Sequence, residues 1–402
     1  MDRKSKMVEG KVLFLAQSFV RFKDDISSHY LFSLAKHISK SGFSVKVVAP
    51  HQSGLKKAEV IDGLPIFRFR YMVGHFERLA YTGNMYKMVK ENLINKFIFV
   101  FFLFFFFLKA YRISKSYDIP IVHAHWWVPS GLVGCLVSIL LKRQLLVTTH
   151  GTDLRILDDS KIFSLLARFV FRRAQYVTVV SSFLKTRLVS RLNLPEKKIL
   201  VIPMPVNTQK IKFSPGRKEN SENVILCVAR YTKQKKLDVL IGSLSLLKEW
   251  EIDFKAIFIG EGPEKENLKE KINDLSLMDR IKLLDLIPQK DLNHYYNLSR
   301  VVVLPSVNEG FGLVLVEAGL CKKTVIGACS GGIPDIIEDG VTGLLVPPDD
   351  YRALAHAMRK ILSDEGLAKR LGENAYQQVW KRFSPEAITR RFLFTYRKLI
   401  CN

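Results

Sequence analysis

The stretch VVVLPSVNEGFGLVLVE, residues Val301 to Glu317, organises the reading of this chain. Val301–Leu304 predicts a strand buried on both faces, as in a parallel sheet. Pro305 ends it, and an aliphatic run after Gly310 and Gly312 predicts a helix from about Gly312. Strand, glycine-bearing loop and helix in that order leave the first helical amides without partners, and the glycines let the backbone approach a ligand closely; together they make an anion site. Glu309 and Glu317 are eight residues apart, slightly over two turns, so a continuous helix would turn both carboxylates toward one face, one at the helix mouth and one deeper. Taken alone, the pair also reads as solvated acids that the helix macrodipole favours near its N-terminus.

Outward from this stretch, short apolar runs alternate with longer amphipathic segments, the pattern of a parallel sheet covered by helices. In the second half the predicted strands are Val224–Val228, Lys255–Ile259, Ile281–Leu284, Val301–Leu304, Thr324–Gly327 and Gly343–Val346. In the first half they are Lys11–Ala16, Ser44–Ala49, Ile121–His123, Leu145–Thr148, Tyr176–Val180 and Ile199–Ile202. A polar stretch from Asn207 to Asn223, containing Pro215 and Gly216, separates the series. The expectation is an α/β chain of two Rossmann-like, doubly wound domains, with ligands at the carboxyl ends of the strands. Domain one takes residues 1–205, domain two 206–385, and a helix over 386–402 is expected to pack back on domain one.

The loop after Val224–Val228 carries Arg230, Lys233, Lys235 and Lys236 just before a predicted helix. Cations there oppose the macrodipole, so local stability does not account for them, whereas a bound phosphate does. A solvated basic turn is the plain alternative. In the first half, His123 and His125 are expected at the end of one strand, while His150, Gly151, Thr152 and Asp153 follow another. These form a candidate polar site, of which His150 is the strongest member.

The chain has 402 residues, is 48% hydrophobic and 25% charged, and carries a net charge of +24, which excludes both a disordered chain and a multi-span membrane protein. Residues 1–200 hold 32 Lys and Arg against 13 Asp and Glu, a net +19, so the surplus sits in the first half and points to an anionic partner. The five cysteines show no C-x-x-C spacing, no H-E-x-x-H occurs, and no metal site is expected. Phe97–Leu108 reads FIFVFFLFFFFL between Lys96 and Lys109. Twelve residues of helix reach roughly 18 Å, short of the ~30 Å hydrocarbon core. Two readings stand: a helix buried on the sheet, or a helix lying in the membrane interface with its flanking cations on anionic headgroups.

Taken together, these motifs resemble glycosyltransferase family 4, whose members are retaining enzymes of the GT-B fold, two Rossmann-like domains facing across a cleft. The resemblance covers nearly the whole chain. It rests on the Glu309–Glu317 pair, Pro305–Ser306, Arg230 with Lys235, GEGP at Gly260–Pro263, GGIPDII at Gly331–Ile337, DGVTGLLVPP at Asp339–Pro348, HAHW at His123–Trp126 and HGTD at His150–Asp153.

The resemblance implies that Arg230 and Lys235 hold the donor diphosphate, that Glu317 binds the ribose, and that Glu309 and the amides of Phe311, Gly312 and Leu313 face the sugar and phosphate. It implies that His150 contacts the transferred sugar, with His125 and Asp153 as acceptor-side candidates. Transfer of a hexosyl unit from a UDP- or GDP-sugar to a lipid-linked or glycan acceptor, without a metal or other cofactor, is expected. With the basic, phenylalanine-rich first half, this places the enzyme in the cytoplasm, peripherally bound to a membrane. Another GT-B chemistry, such as an epimerase or a phosphorylase, is the alternative; nucleic acid is not an expected partner because no binding motif accompanies the charge. The sequence departs from the family at DDISSHY, residues 24–30, where Ser27 and Ser28 replace the usual glycines, and at Lys236, which replaces a glycine and leaves Lys235 and Lys236 as alternatives for the diphosphate.

Overall fold

The computed structural model describes residues 10–23, 25, 28–158, 160–214 and 223–401. The chain forms two compact units, one holding the residues up to Val180, Leu184–Pro205 and Ile388 onward, the other Ser181–Phe183 and Val206–Ala387. Pro215, Gly216 and Ser27 lie outside the described residues.

Unit 1 runs β1 (Gly10–Ala16), α1 (His29–Lys40), β2 (Phe43–Pro50), β3 (Ala58–Ile61), β4 (Leu64–Phe69), α2 (Met85–Glu91), α3 (Leu93–Ser116), β5 (Ile121–His125), α4 (Leu132–Leu140), β6 (Gln144–Thr149), α5 (Thr152–Arg155), α6 (Lys161–Arg173), β7 (Tyr176–Val179), α7 (Ser182–Leu192) and β8 (Ile199–Val201). Its eight strands lie in the order β3-β4-β2-β1-β5-β6-β7-β8. All neighbours are parallel except β3 and β4. That antiparallel pair, absent from the predicted strands, turns on Asp62 and Gly63, both at positive φ, the two-residue hairpin loop that Asp-Gly favours.

Unit 2 runs β9 (Val224–Val228), α8 (Leu237–Glu249), β10 (Lys255–Ile259), α9 (Lys265–Asp274), β11 (Ile281–Leu284), α10 (Gln289–Leu298), β12 (Val301–Leu304), α11 (Leu313–Leu320), β13 (Thr324–Ala328), β14 (Leu344–Val346), α12 (Tyr351–Ser363) and α13 (Glu365–Arg382). Its six parallel strands lie in the order β11-β10-β9-β12-β13-β14. The order reverses between β9 and β12, so the loops following these two strands flank the switch point where doubly wound sheets bind ligands. A closing helix, α14 (Pro385–Cys401), belongs to unit 1 from Ile388 onward. There Tyr396 is fully buried and its hydroxyl lies 2.7 Å from His123 Nδ1.

The phenylalanine segment is corrected by the structure. α3 has 24 residues, not twelve, because Asn92 caps it at Asn95 N and Lys109 does not interrupt it. At about 36 Å it is long enough to cross a bilayer. One stripe, formed by Ile98, Phe102, Phe106, Ala110 and Ile113, is nevertheless buried at helical spacing. Phe106 stacks on Phe69 of β4 with centroids 4.4 Å apart, and Phe102 packs edge-on to Phe69 and Tyr71. The helix thus has one side buried on the sheet and one side exposed: Phe102 is 0% exposed, whereas Phe101 is 48% exposed.

Candidate functional site

In unit 2, the loop after β9 leads through Arg230 into a 3-10 turn at Lys233–Lys235, and Lys236 then takes a left-handed conformation (φ 52°) as the N-cap of α8. That twist sends the two lysines apart. The Lys235 ammonium meets the Glu309 carboxylate on the loop after β12, with both side chains largely buried. Lys236 instead reaches Asp349 at 2.7 Å. Of the two alternatives, Lys235 is the one brought to the acidic loop. Arg230 remains exposed beside it.

Glu309 does not lie on a helix. α11 begins at Leu313, where the sequence places its start, and Gly312 (φ 101°) breaks the chain direction between the two acids, so no single helix carries both. Gly312 has no side chain to cap α11, and with Leu315 N donating to Gly312 O at 3.0 Å the amides of Leu313 and Val314 are left for an outside acceptor. Glu317 sits inside α11, almost buried, and accepts a 2.7 Å hydrogen bond from the hydroxyl of fully buried Tyr296. Burial, together with the adjacent carboxylate, raises the Tyr296 phenol well above its ordinary range, so it stays a donor and holds the Glu317 carboxylate in place.

Backbone contact locks these loops together. Gly332 N donates to Glu309 O at 2.8 Å, and Asn308 N donates to Ser330 Oγ at 3.0 Å. At Gly331 (φ 63°) a Cβ would collide with the backbone N and O of Glu309; at Gly332 it would lie 2.6 Å from Gly310 O. On the other side, a Cβ on Gly260 or Gly262 would strike the carbonyls of Ala229 or Tyr231, so the GEGP loop clamps the Arg230–Lys235 loop. Gln234 closes the set, donating from Nε2 to Asn308 O at 3.0 Å and accepting from Val307 N at 3.0 Å. The result is a prearranged cation–carboxylate pair at the switch point, beside an exposed guanidinium and free helix-start amides. Such a set suits a ligand with an anionic group next to hydroxyls.

In unit 1, β5 ends at His125, with His123 two residues before it, so the two histidines stand at the strand end as expected, and both are fully buried. His123 is satisfied by Tyr396 and Thr148, each at 2.7 Å. His125 stacks between His123 (4.2 Å) and His150 (5.5 Å), with neither ring nitrogen hydrogen-bonded. As an acceptor-side candidate it is corrected, since it lies beneath His150 and is closed to solvent. Asp153 is corrected likewise. It is 2% exposed, and its carboxylate accepts from the amides of Trp127, His150 and Gly151 at 3.1 Å each, which fastens the HGTD loop to the strand end. His150 alone is partly exposed, its ring 4.5 Å from Trp126 and 5.5 Å from Tyr30. Burial lowers its pKa to about 3, so it is neutral at neutral pH and offers a hydrogen bond rather than a charge.

Among the described residues no group of three His, Cys, Asp or Glu is placed to hold a metal ion. Tyr296 and the contacts of Gly260, Gly262 and Gly331 were not singled out from sequence. Tyr296 carries no local signal, 21 residues before its carboxylate, while the glycines stood in quoted motifs without a known contact.

Residues 208–378 match the family model described as Glycosyl transferases group 1, and residues 27–210 match that described as Glycosyltransferase Family 4. The chain is 30% identical over 317 residues to an uncharacterized glycosyltransferase of Methanocaldococcus jannaschii, covering 76% of this chain and 84% of that one. It is 27% identical over 282 residues to the GDP-mannose-dependent alpha-(1-6)-phosphatidylinositol monomannoside mannosyltransferase of Mycolicibacterium smegmatis, covering 65% and 72%. Its fold is shared with Anabaena HepE, crystallised in complex with UDP and glucose, at a TM-score of 0.74 and 21% identity over 97% of this chain and 100% of that one.

Proposed function

The chain belongs to glycosyltransferase family 4 and has its GT-B fold, and on that premise we propose that it is a retaining, metal-independent hexosyltransferase using a nucleotide-diphosphate sugar. The observation that carries the reading is the Lys235–Glu309 pair at the switch point, with Arg230 exposed on the same loop. When the donor binds, the two cations take the diphosphate, Glu309 turns to sugar hydroxyls, and Glu317, held by Tyr296, receives the ribose hydroxyls. UDP is the first choice of nucleotide, supported by the UDP complex of the HepE structure; GDP is the second, supported by the mannosyltransferase relative.

In the reaction, the acceptor oxygen bonds to the anomeric carbon on the face from which the diphosphate departs. The anomeric C–O bond breaks through an oxocarbenium-like transition state, and the acceptor proton passes to the leaving phosphate oxygen. Arg230 and Lys235 neutralise charge that grows on that phosphate, the work a metal ion does in other transferases. Neutral His150 donates to or accepts from a sugar hydroxyl. We assign no enzymic nucleophile.

The acceptor we propose is lipid-linked, in glycolipid or envelope-polysaccharide synthesis, with the enzyme held at the cytoplasmic membrane face. Support comes from the exposed phenylalanines of α3, the net +19 of residues 1–200 and the phosphatidylinositol-linked substrate in the mannosyltransferase relative's name. A panel of UDP- and GDP-sugars, read by nucleotide release and by NMR of the product anomer, tests the proposal. One donor should be turned over with its configuration kept, Glu309→Gln should abolish the signal, and EDTA should leave it intact. Inversion, or loss on chelation restored by magnesium or manganese, would refute the mechanism.

A further inference from the structure

α3 is not alone in turning apolar residues outward. Among the described residues, 14 of the 27 exposed large hydrophobic side chains belong to α3, α4 and α6, so the apolar surface is concentrated rather than scattered. On α3 it follows Leu93, Phe97, Phe101 and Phe104, opposite the buried stripe. On α4 it is Leu136, Ile139 and Leu140, and on α6 Ile162, Leu165 and Phe169. Every set recurs at three- or four-residue spacing, the signature of one helix face.

These faces adjoin. Each of the three helices returns from the carboxyl edge of the parallel sheet to its amino edge. Chain direction therefore places them on one side of the sheet, by the right-handedness of parallel crossovers. α3 packs on α4, and α4 on α6, where the Arg173 guanidinium donates to Ser138 O at 3.1 Å. α2 extends the row, Tyr86 approaching Phe163 of α6 at 6.0 Å. Across α2, α3, α4 and α6 the sequence holds ten Lys or Arg and a single acid, Glu91.

We propose that this helical layer, and not α3 alone, is the docking surface of unit 1, and that its occupant is an anionic lipid bilayer. The inference rests on the membrane reading of the proposed function and extends it to α4 and α6. A protein partner large enough to cover three helices would require matching acids, whereas an acyl boundary under anionic headgroups accepts apolar ridges flanked by Lys87, Lys96, Arg112, Lys161 and Arg172 without further complementarity. On α3 and α6 the exposed apolar residues begin in the first turn, at the sheet edge that also carries Trp126 and His150, and run just past the helix midpoint. A lipid-linked acceptor would therefore present its headgroup beside those loops.

The test uses the full chain and vesicles of phosphatidylglycerol with phosphatidylcholine, or phosphatidylcholine alone. The triple variant Ile162→Ser, Leu165→Ser, Phe169→Ser should lose about tenfold or more in partitioning to the anionic vesicles while keeping the parent's melting temperature. If it floats as the parent does while Phe97→Ser, Phe101→Ser, Phe104→Ser falls off, the three-helix surface is wrong and an anchor of α3 alone stands. If both variants float as the parent does, the membrane reading itself fails. A second measurement does not depend on the serine variants folding. With Cys329 and Cys401 changed to Ser, an environment-sensitive fluorophore on Leu165→Cys should shift to the blue on adding anionic vesicles, whereas one on Phe394→Cys, exposed on α14, should not. No shift at 165 overturns the proposal.

Discussion

Gly331 offers a test of whether the geometry of the acidic loop, rather than its mere presence, sets turnover. In Gly331→Ala the new Cβ collides with the N and O of Glu309 and lies 2.9 Å from the carbonyl carbon of Asn308. All three are backbone atoms, so no side chain can swing aside, and the loop must retreat by about 1 Å to restore van der Waals separation. A further 1 to 2 kcal/mol comes from holding alanine at φ 63°. Gly340→Ala supplies the control: its φ of 72° carries the same conformational cost, yet nothing lies within 4 Å of its Cβ. Both variants should therefore melt a few degrees lower. Only Gly331→Ala should lose kcat, by about 100-fold, the usual effect of displacing a reacting group by 1 Å. The assay is initial-rate nucleotide release with the preferred sugar donor, alongside thermal melts. Equal kcat in the two alanine variants would show that the Glu309 position does not control the chemistry.

Other expected outcomes follow from the same contacts. Arg230→Ala and Lys235→Ala should each weaken donor binding by about 1.5 to 3 kcal/mol, measured calorimetrically with the nucleotide diphosphate; unchanged affinity would remove the diphosphate from these residues. Tyr296→Phe should loosen nucleotide binding more than it slows turnover, because ribose contacts are made alike in ground and transition states, and a pure kcat effect would contradict that. Acid stability should reflect opposed groups. His150, lowered to about 3, and His123 and His125, held well below their ordinary range by burial, refuse protons that the unfolded chain takes up below about 6.5, so stability falls as pH drops from there, each histidine contributing up to about 1.4 kcal/mol per unit. Asp153, raised to about 6 by burial, takes up a proton that the unfolded chain refuses until about 4, and so offsets that loss between pH 6 and 4. Asp153→Asn should accordingly lose stability more steeply over that interval in urea titrations, and a slope parallel to the parent's would disprove the assignment.

How far the sequence could be read depended on whether a feature was local. The central strands of unit 2, β9, β12 and β13, were legible as aliphatic runs because strands buried on both faces write their burial directly into the chain. The β3–β4 hairpin was passed over, although Asp62-Gly63 is a hairpin signal, since AEVI and LPIFRF mix charges and a proline into short strands at the sheet edge. The length of α3 was underestimated by treating its flanking lysines as ends; a helix stops where capping and packing stop it, and Lys109 continues the spiral. At the site, the residue types and the spacing of Glu309 and Glu317 were visible, but the kink at Gly312 that separates them was not. His150 was ranked above His125, but the burial of His125 was not visible. Both are histidines near strand ends, and only the third dimension stacks one beneath the other.

The contact between Tyr396 and His123 bears on how the protein is made. The first unit to leave the ribosome is built around a sheet whose buried histidine bonds to a residue 273 positions later. That unit also counts everything from Ile388 onward among its own. Unit 2 is complete in translation order once residue 387 has emerged, while the unit begun earlier waits, its sheet uncovered on the side that α14 closes. At about 5 to 20 residues per second, that wait lasts roughly ten to forty seconds after residue 205. The half of the chain with the stickiest surface is therefore the half that finishes last, and a truncation after Pro205 would leave it unfinished for good.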